Sequence, residues 1–306
     1  MTTWPASKNA FLSRFRTWRD QGNSRGRIER IVLFTDSDTL KLATAPHAAG
    51  TNGDLSALED EGIAVVLCGN ETRSELELIQ NDLGLPHPFI SENGGGLFIR
   101  HGYFRDQPQV GRDVPTYHVV DFGRPYHVVA DALHQVAGTL GLDIVGFSDL
   151  SIQDVARRLG LSLSRARLAK LREYDEPFRL ADADPAAFSR LCHALRRVGV
   201  RCFSHDGFHH ATGVADRAQS IQMLTSLYRQ ASSGGLLTVG LAREPSETCL
   251  LRAVDIPIVV HDAVDAGRLG RKVPTAHFVS ARAARGWRDA ILQLVERRSQ
   301  LQAYGR

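Results

Sequence analysis

Short apolar runs closed by small polar residues alternate along this chain with stretches whose apolar residues recur at helical spacing. Residues 31–34 read IVLF and end in TDSDT. Residues 63–68 read IAVVLC and end in GNET, followed at 74–85 by SELELIQNDLGL, which has the period of a helix. Unbroken runs of this length predict buried strands, and strand, loop and helix in repetition predict a parallel α/β sheet with its chemistry at the strand C-terminal ends. Residues 90–100, ISENGGGLFIR, predict a glycine-rich turn leading into a strand or hairpin. Between about residues 104 and 204 the rhythm changes. YHVVDFG and IVGFS predict strands, ADALHQVAGTLG, QDVARRLG and AAFSRLCHALRRVG predict helices, and Pro177 with the stretch 182–185 punctuates them. This is the pattern of a small α/β module inserted into the first domain. The alternation then returns, with a helix over 218–228, strands over 236–241 and 256–262, and a last helix over 285–297. Near the N-terminus, Phe11, Leu12, Phe15 and Trp18 fall close to helical spacing ahead of a linker at 22–26.

Composition narrows the class. The chain has 306 residues, room for two domains, and 43% apolar against 23% charged residues is the balance of a globular protein. With 37 basic and 34 acidic residues, net charge +3, the asymmetry is too small to argue for a nucleic-acid partner or an anionic membrane. The basic excess is partly local: Lys8, Arg14, Arg16, Arg19, Arg25, Arg27 and Arg30 face only Asp20 and Glu29. This N-terminal segment is read as a helix packed on the domain, a plain extension, or a docking segment for a protein partner. No stretch reaches the roughly 18 apolar residues of a membrane span, and the N-terminus lacks the apolar core of a signal peptide. Cys68, Cys192, Cys202 and Cys249 show no C-x-x-C spacing, so reduced thiols in a cytoplasmic protein are the simpler expectation.

Candidate chemistry begins with Asp36 and Asp38, at i and i+2 just beyond the first apolar run. Two carboxylates at a strand end suit magnesium binding, or a nucleophile paired with a general acid; a solvated turn gives the same spacing. His205, Asp206, His209 and His210 are metal-capable but fit no ligand template. Cys68 and Cys249 sit at the ends of apolar runs and are expected to pack there.

The wider layout resembles the haloacid dehalogenase superfamily, and within it the capped class that includes the mannosyl-3-phosphoglycerate phosphatases. The matching pieces are LFTDSDT, VVLCGNETRSE, LGLPHPFISENGGGLFI, LREYDEPF, FHHATG and VGLAREPSETCLLRAVDIPIVV, in order from residue 33 to residue 260. The resemblance implies a Rossmann-like parallel-sheet core at 29–103 and 205–306, an inserted α/β cap at 104–204, and a basic extension at 1–28. It also implies a phosphomonoester hydrolase acting on a phosphorylated sugar or sugar acid. Asp36 would attack phosphorus to form an aspartyl-phosphate, and Asp38 would protonate the leaving alcohol and then activate water. Mg2+ would be held by Asp36, Asp38 and Glu247, phosphate by Asn70 and Arg217, and the sugar or glycerate part by Glu92, Asn93, Arg172 and Glu176.

Several motif positions depart from the family. Thr39-Leu40 stands where Gly-Thr is expected, and Gly69 replaces the phosphate-binding Ser or Thr. Asp216-Arg217-Ala218-Gln219 replaces Asp-Lys-Gly-Lys, and a planar guanidinium is not a lysine point charge. Ala242-Arg243-Glu244-Pro245-Ser246-Glu247 replaces Gly-Asp-Ser-Pro-Asn-Asp, putting Arg243 where a metal-binding acid belongs. A guanidinium cannot ligate a cation, so the site holds either a magnesium ion recruited through Glu247 or none. Two functions stay open: a phosphatase, or a phosphatase-like binding, scaffold or regulatory protein without turnover.

Overall fold

The computed structural model describes residues 28–43, 55, 58–181, 184–205, 207–214, 216–243, 247–261 and 271–280. The expected N-terminal helix and linker, the last helix at 285–297, Asp206 and Glu244 lie outside the described residues. In chain order the first elements are β1 (Ile28–Thr35), α1 (Ser37–Ala43), β2 (Ile63–Leu67), α2 (Arg73–Leu83), β3 (Phe89–Ser91), β4 (Gly96–Arg100), β5 (Arg112–Asp113) and β6 (Tyr117–Asp121). Then come α3 (Tyr126–Thr139), β7 (Ile144–Gly146), α4 (Ile152–Leu159), α5 (Leu163–Ala169), β8 (Asp175–Leu180), α6 (Pro185–Arg197), β9 (Val200–His205) and β10 (Phe208–Gly213). The chain continues through α7 (Arg217–Ala231), β11 (Gly235–Ala242), α8 (Thr248–Arg252), β12 (Ile256–His261) and β13 (His277–Ser280).

The apolar run at 31–34 forms the middle of β1 and is buried on both faces. Ile31 and Leu33 join one hydrophobic cluster with Leu40, Leu76 and Ile79, whereas Val32 and Phe34 join another with Ile221, Leu224 and Tyr228. Successive side chains of a strand point to opposite faces, so α1 and α2 cover one side of β1 and α7 the other. β1 pairs in parallel with β2 and β11, and the sheet continues through β12 to β13, in the order β13-β12-β11-β1-β2. This is the α/β, Rossmann-like core expected from the alternation of runs.

Two antiparallel sheets accompany it. One has the order β3-β4-β6-β5, and Phe89, Phe98, Tyr117 and Val119 carry it into the cluster below the parallel sheet. The other, β7-β8-β10-β9, has its own core of Val129, Leu133, Phe178, Leu191 and Leu195 with α3 and α6, and is the cap-like unit. Strand pairing bears on the divisions expected at 103/104 and 204/205. The first falls within the connection from β4 to its partner β6, and the second within the β9–β10 hairpin, where His205 faces Phe208. The sheet of the cap-like unit, with the helices that share its core, spans α3 to β10.

Pro177, expected to break structure, lies inside β8 opposite His210. It serves the sheet through its carbonyl, which accepts the Phe147 N–H at 2.9 Å. No helix among the described residues is long and apolar enough to cross a membrane.

Candidate active site

Three parallel strands deliver the site. Thr35 at the end of β1 pairs with Leu67 on one side and Leu241 on the other, so the loops after β1, β2 and β11 leave the sheet side by side. A cleft of about 120 Å³ opens there, lined by Asp36, Asp38, Thr39, Gly69, Asn70, Glu71, Arg243 and Glu247, with His205 contributed by the cap.

Asp36 starts α1. Its Oδ1 accepts the Thr39 N–H at 2.7 Å and its Oδ2 the Thr39 hydroxyl at 2.5 Å, while its carbonyl accepts the Leu40 N–H. Thr39, a departure from the family pattern, thus fixes the orientation of the first aspartate. Asp38 stands exposed in the first turn of α1.

The loop after β2 explains Gly69. A Cβ at this position would lie 1.7 Å from Glu71 Oε2 and 2.8 Å from its Cδ, so the Glu71 carboxylate occupies the space that a Ser or Thr side chain would need. Glu71 Oε1 accepts the Ser37 hydroxyl, and Oε2 is buried with no hydrogen-bond partner. Burial pushes the Glu71 carboxyl up against the pull of Ser37 and its own backbone N–H, and the charges of Asp36 and Asp38 push it further. Glu71 was not anticipated. The only signal was a glycine two residues before a long acid in GNET, and nothing in the spacing says that one fills the space left by the other.

Arg217 sits behind the cleft, at the start of α7. Asp216 caps that helix, accepting the N–H groups of Ala218 and Gln219, which places Arg217 in the first buried turn. Its Nη1 donates to Glu247 and its Nη2 to Asn93 Oδ1 at 2.8 Å. Burial pulls this guanidinium down, but Glu247, Cys68, Asp36 and Glu71 outweigh it and keep the group firmly charged. Burial pushes the Cys68 thiol up, leaving it no nucleophilic role at pH 7.

The residues expected to touch the sugar form a joint between core and cap. Glu92, Asn93 and Gly94 make a left-handed turn with φ of 47°, 60° and 97°. A Cβ on Gly94 would meet the Arg217 backbone at 2.6 Å, so the turn needs glycine there. The Glu92 carboxylate accepts three backbone N–H groups, from Glu173 at 2.9 Å and from Tyr174 and Asp175 at 2.8 Å. Burial raises Glu92 to about 7, against Arg172 and these N–H groups. Asn93 Nδ2 donates to Asp175 Oδ2 at 2.6 Å, and His210 Nδ1 lies 2.9 Å from the same oxygen. Arg172 donates to the carbonyl of Asn70 at 2.6 Å, and Glu176 accepts the hydroxyls of Tyr126 and Ser148. Glu92, Asn93, Arg172 and Glu176 are therefore engaged with protein groups and do not line the cleft.

The histidines diverge. His209 stacks on Phe188 at 3.9 Å while its neighbour His210 faces Asp175, as alternation along β10 requires.

A magnesium ion expected from the resemblance needs converging oxygen ligands. Glu247 is taken by Arg217, Arg243 lines the same cleft, and among the described residues no group of three or more His, Cys, Asp or Glu could hold a metal ion. The side chains as placed do not fit the ion.

No protein-family model matches the chain. It is 30% identical over 270 residues to a glucosyl-3-phosphoglycerate/mannosyl-3-phosphoglycerate phosphatase of Methanococcoides burtonii, covering 86% of this chain and 97% of the relative. A protein of the same description from Persephonella marina is 29% identical over 75% of this chain and 84% of its own length. A solved haloacid dehalogenase-like hydrolase from Bacteroides thetaiotaomicron superposes with a TM-score of 0.57 at 13% identity, covering 87% of this chain and 99% of that structure.

Proposed function

From the premise that the chain belongs to the glucosyl-3-phosphoglycerate/mannosyl-3-phosphoglycerate phosphatase family of the haloacid dehalogenase superfamily, we propose that it hydrolyses the phosphomonoester of a small phosphorylated sugar or sugar acid. The observation that carries this reading is the joint presence of Asp36 and Asp38 in one cleft at the end of β1, with Thr39 orienting the first. A carboxylate oxygen of Asp36 attacks phosphorus as the bond to the leaving oxygen breaks. Asp38 gives that oxygen a proton, then takes one from the water that releases phosphate from Asp36. Asn70 and Arg243 line the cleft as donors to the phosphoryl oxygens, while the charge of Arg217 is paired with Glu247. On this reading Arg243 supplies the charge stabilisation that a metal would give.

One observation favours a second reading, a phosphatase-like binding, scaffold or regulatory protein without turnover. The Glu71 carboxylate stands over Gly69, facing the place where a phosphoryl group would be held.

A single assay separates the two. Phosphate release is measured with mannosyl-3-phosphoglycerate, glucosyl-3-phosphoglycerate and an aryl phosphate, with magnesium or with EDTA, for the wild type and Asp36→Asn. The expected outcome is turnover that persists in EDTA and falls by at least ~10³-fold in the variant. A strict magnesium requirement rejects the arginine assignment while keeping the phosphatase. Absence of hydrolysis of any of these esters, by folded protein, selects the second reading.

A further inference from the structure

The cap holds a pair of thiols that the spacing of the cysteines does not reveal. Cys192 lies on α6 and Cys202 on β9, ten residues apart across the turn at Val198 and Gly199, and their Sγ atoms are 2.8 Å from each other. That is inside van der Waals contact for two sulfur atoms. Regular structure fixes both sides. Cys202 is paired with Ala211 in the β9–β10 ladder, and α6 is anchored through Leu191 and Leu195 in the cap core. A disulfide needs an S–S distance of about 2.05 Å, a closure of the kind side-chain rotation provides.

The two thiols differ in the way an exchange reaction requires. Cys192 is half-buried, and its thiolate is favoured by the contact with Cys202, opposed by burial and helped by Arg196 on the next turn of α6. Cys202 is buried, 8% exposed, and its thiol is pushed up by the contact with Cys192 and by burial. Cys192 is the more exposed residue of the pair and Cys202 the more buried.

We propose that Cys192 and Cys202 are a redox-active dithiol that closes to a disulfide by exchange with a low-molecular-weight disulfide such as oxidised glutathione. The Cys192 thiolate attacks one glutathione sulfur, forming a mixed disulfide and releasing one glutathione thiolate. Cys202, on losing its proton, attacks Cys192 Sγ; the mixed disulfide breaks and the second glutathione thiolate leaves. The protein loses two electrons and two protons, and two glutathione thiols carry them away. The product ties α6 to β9 and restricts the unfolded chain of the cap.

The test uses the full chain, purified reduced, equilibrated with oxidised glutathione, quenched with acid and alkylated. The expected result is a species lighter by two hydrogen atoms and, in a non-reducing digest, a cross-linked peptide containing Cys192 and Cys202. Cys202→Ser is expected to trap glutathione on Cys192, and limited proteolysis within the cap is expected to slow on oxidation of the wild type. Recovery of both thiols as alkylated cysteines in the wild type would overturn the proposal. So would a glutathione adduct that persists on Cys192 while Cys202 stays reduced. Both readouts come from the unmutated protein and do not depend on any variant folding.

Discussion

The cleft and the joint below the cap lie next to each other and share Arg217, yet they treat charge in opposite ways. In the joint, Glu92 and Asp175 are fully buried, and every carboxylate oxygen has a partner. In the cleft, Asp38 and Arg243 are exposed, and Glu71 leaves one buried oxygen without a hydrogen bond. Saturated buried networks fix geometry, whereas groups left incompletely satisfied are where binding and chemistry gather. The joint therefore acts as the fixed frame. Through Asn93 N–H to the Gly69 carbonyl and Glu92 N–H to the Glu71 carbonyl, it holds the loop that lines the cleft.

The strongest way to break this contrast is Asp175→Ala. It removes the acceptor of Asn93, the partner of His210 Nδ1 and the counter-charge of Arg172, leaving buried charge uncompensated. A loss of about 3–5 kcal/mol in unfolding free energy is expected, measured by urea denaturation. Asp36→Asn, in the cleft, is expected to stay within ~1 kcal/mol of the wild type. Similar losses in the two variants would erase the distinction between frame and site.

How far such a contrast can be read from sequence depends on which physical scale sets it. The parallel core was legible because continuous apolar runs such as 31–34 and 63–67 are what strands buried on both faces require. The pairing of Asp36 with Asp38 was legible because the two are local to one strand end. Pro177 was misjudged because a missing N–H counts against a strand only where the ladder needs that donor, and here the carbonyl does the pairing. Glu92, Asn93, Arg172 and Glu176 were read from the resemblance as substrate contacts, and the sequence does not show which protein groups their side chains engage. Glu71 over Gly69 and Cys192 beside Cys202 depend on ångström-scale side-chain placement, which periodicity does not encode.

A smaller effect is expected at Thr72, which stands between the two regions. It caps α2 in a reciprocal box with Glu75, and its hydroxyl donates to the Leu168 carbonyl of the cap at 3.0 Å. Thr72→Ala removes the cap and one of two donors to that carbonyl, which keeps the Leu171 N–H at 2.9 Å, for an expected loss of about 1 kcal/mol. Thermal unfolding checks the stability. If the hydroxyl also steadies the cleft loop, KM for the phosphoester rises in the variant while Asp36-dependent turnover is retained. A loss near zero would mean that α2 is held by Leu76 and Ile79 alone and that the frame ends at Asn93.

The smallest effect has the opposite sign. Glu71→Gln keeps the shape of the side chain over Gly69 and removes a charge held beside Asp36 and Asp38. Because burial raises the Glu71 carboxyl above its ordinary value, the folded chain binds this proton more tightly than the unfolded chain. Its contribution to stability is complete below the unfolded pKa of about 4.5 and is lost as pH rises through the folded value. Above pH 4.5 the unfolded chain gives up this proton more readily than the folded chain, which is a cost at neutral pH, so the variant is expected to be more stable than the wild type by roughly 1 kcal/mol, with the gap closing toward pH 4.5. Paired urea titrations at pH 4.5 and 7.5 measure it. A stabilised variant with changed affinity for phosphoesters would assign Glu71 to the cleft's function. If the variant is destabilised at neutral pH instead, Glu71 belongs with the saturated frame, and the boundary between the two regions moves to Asp38.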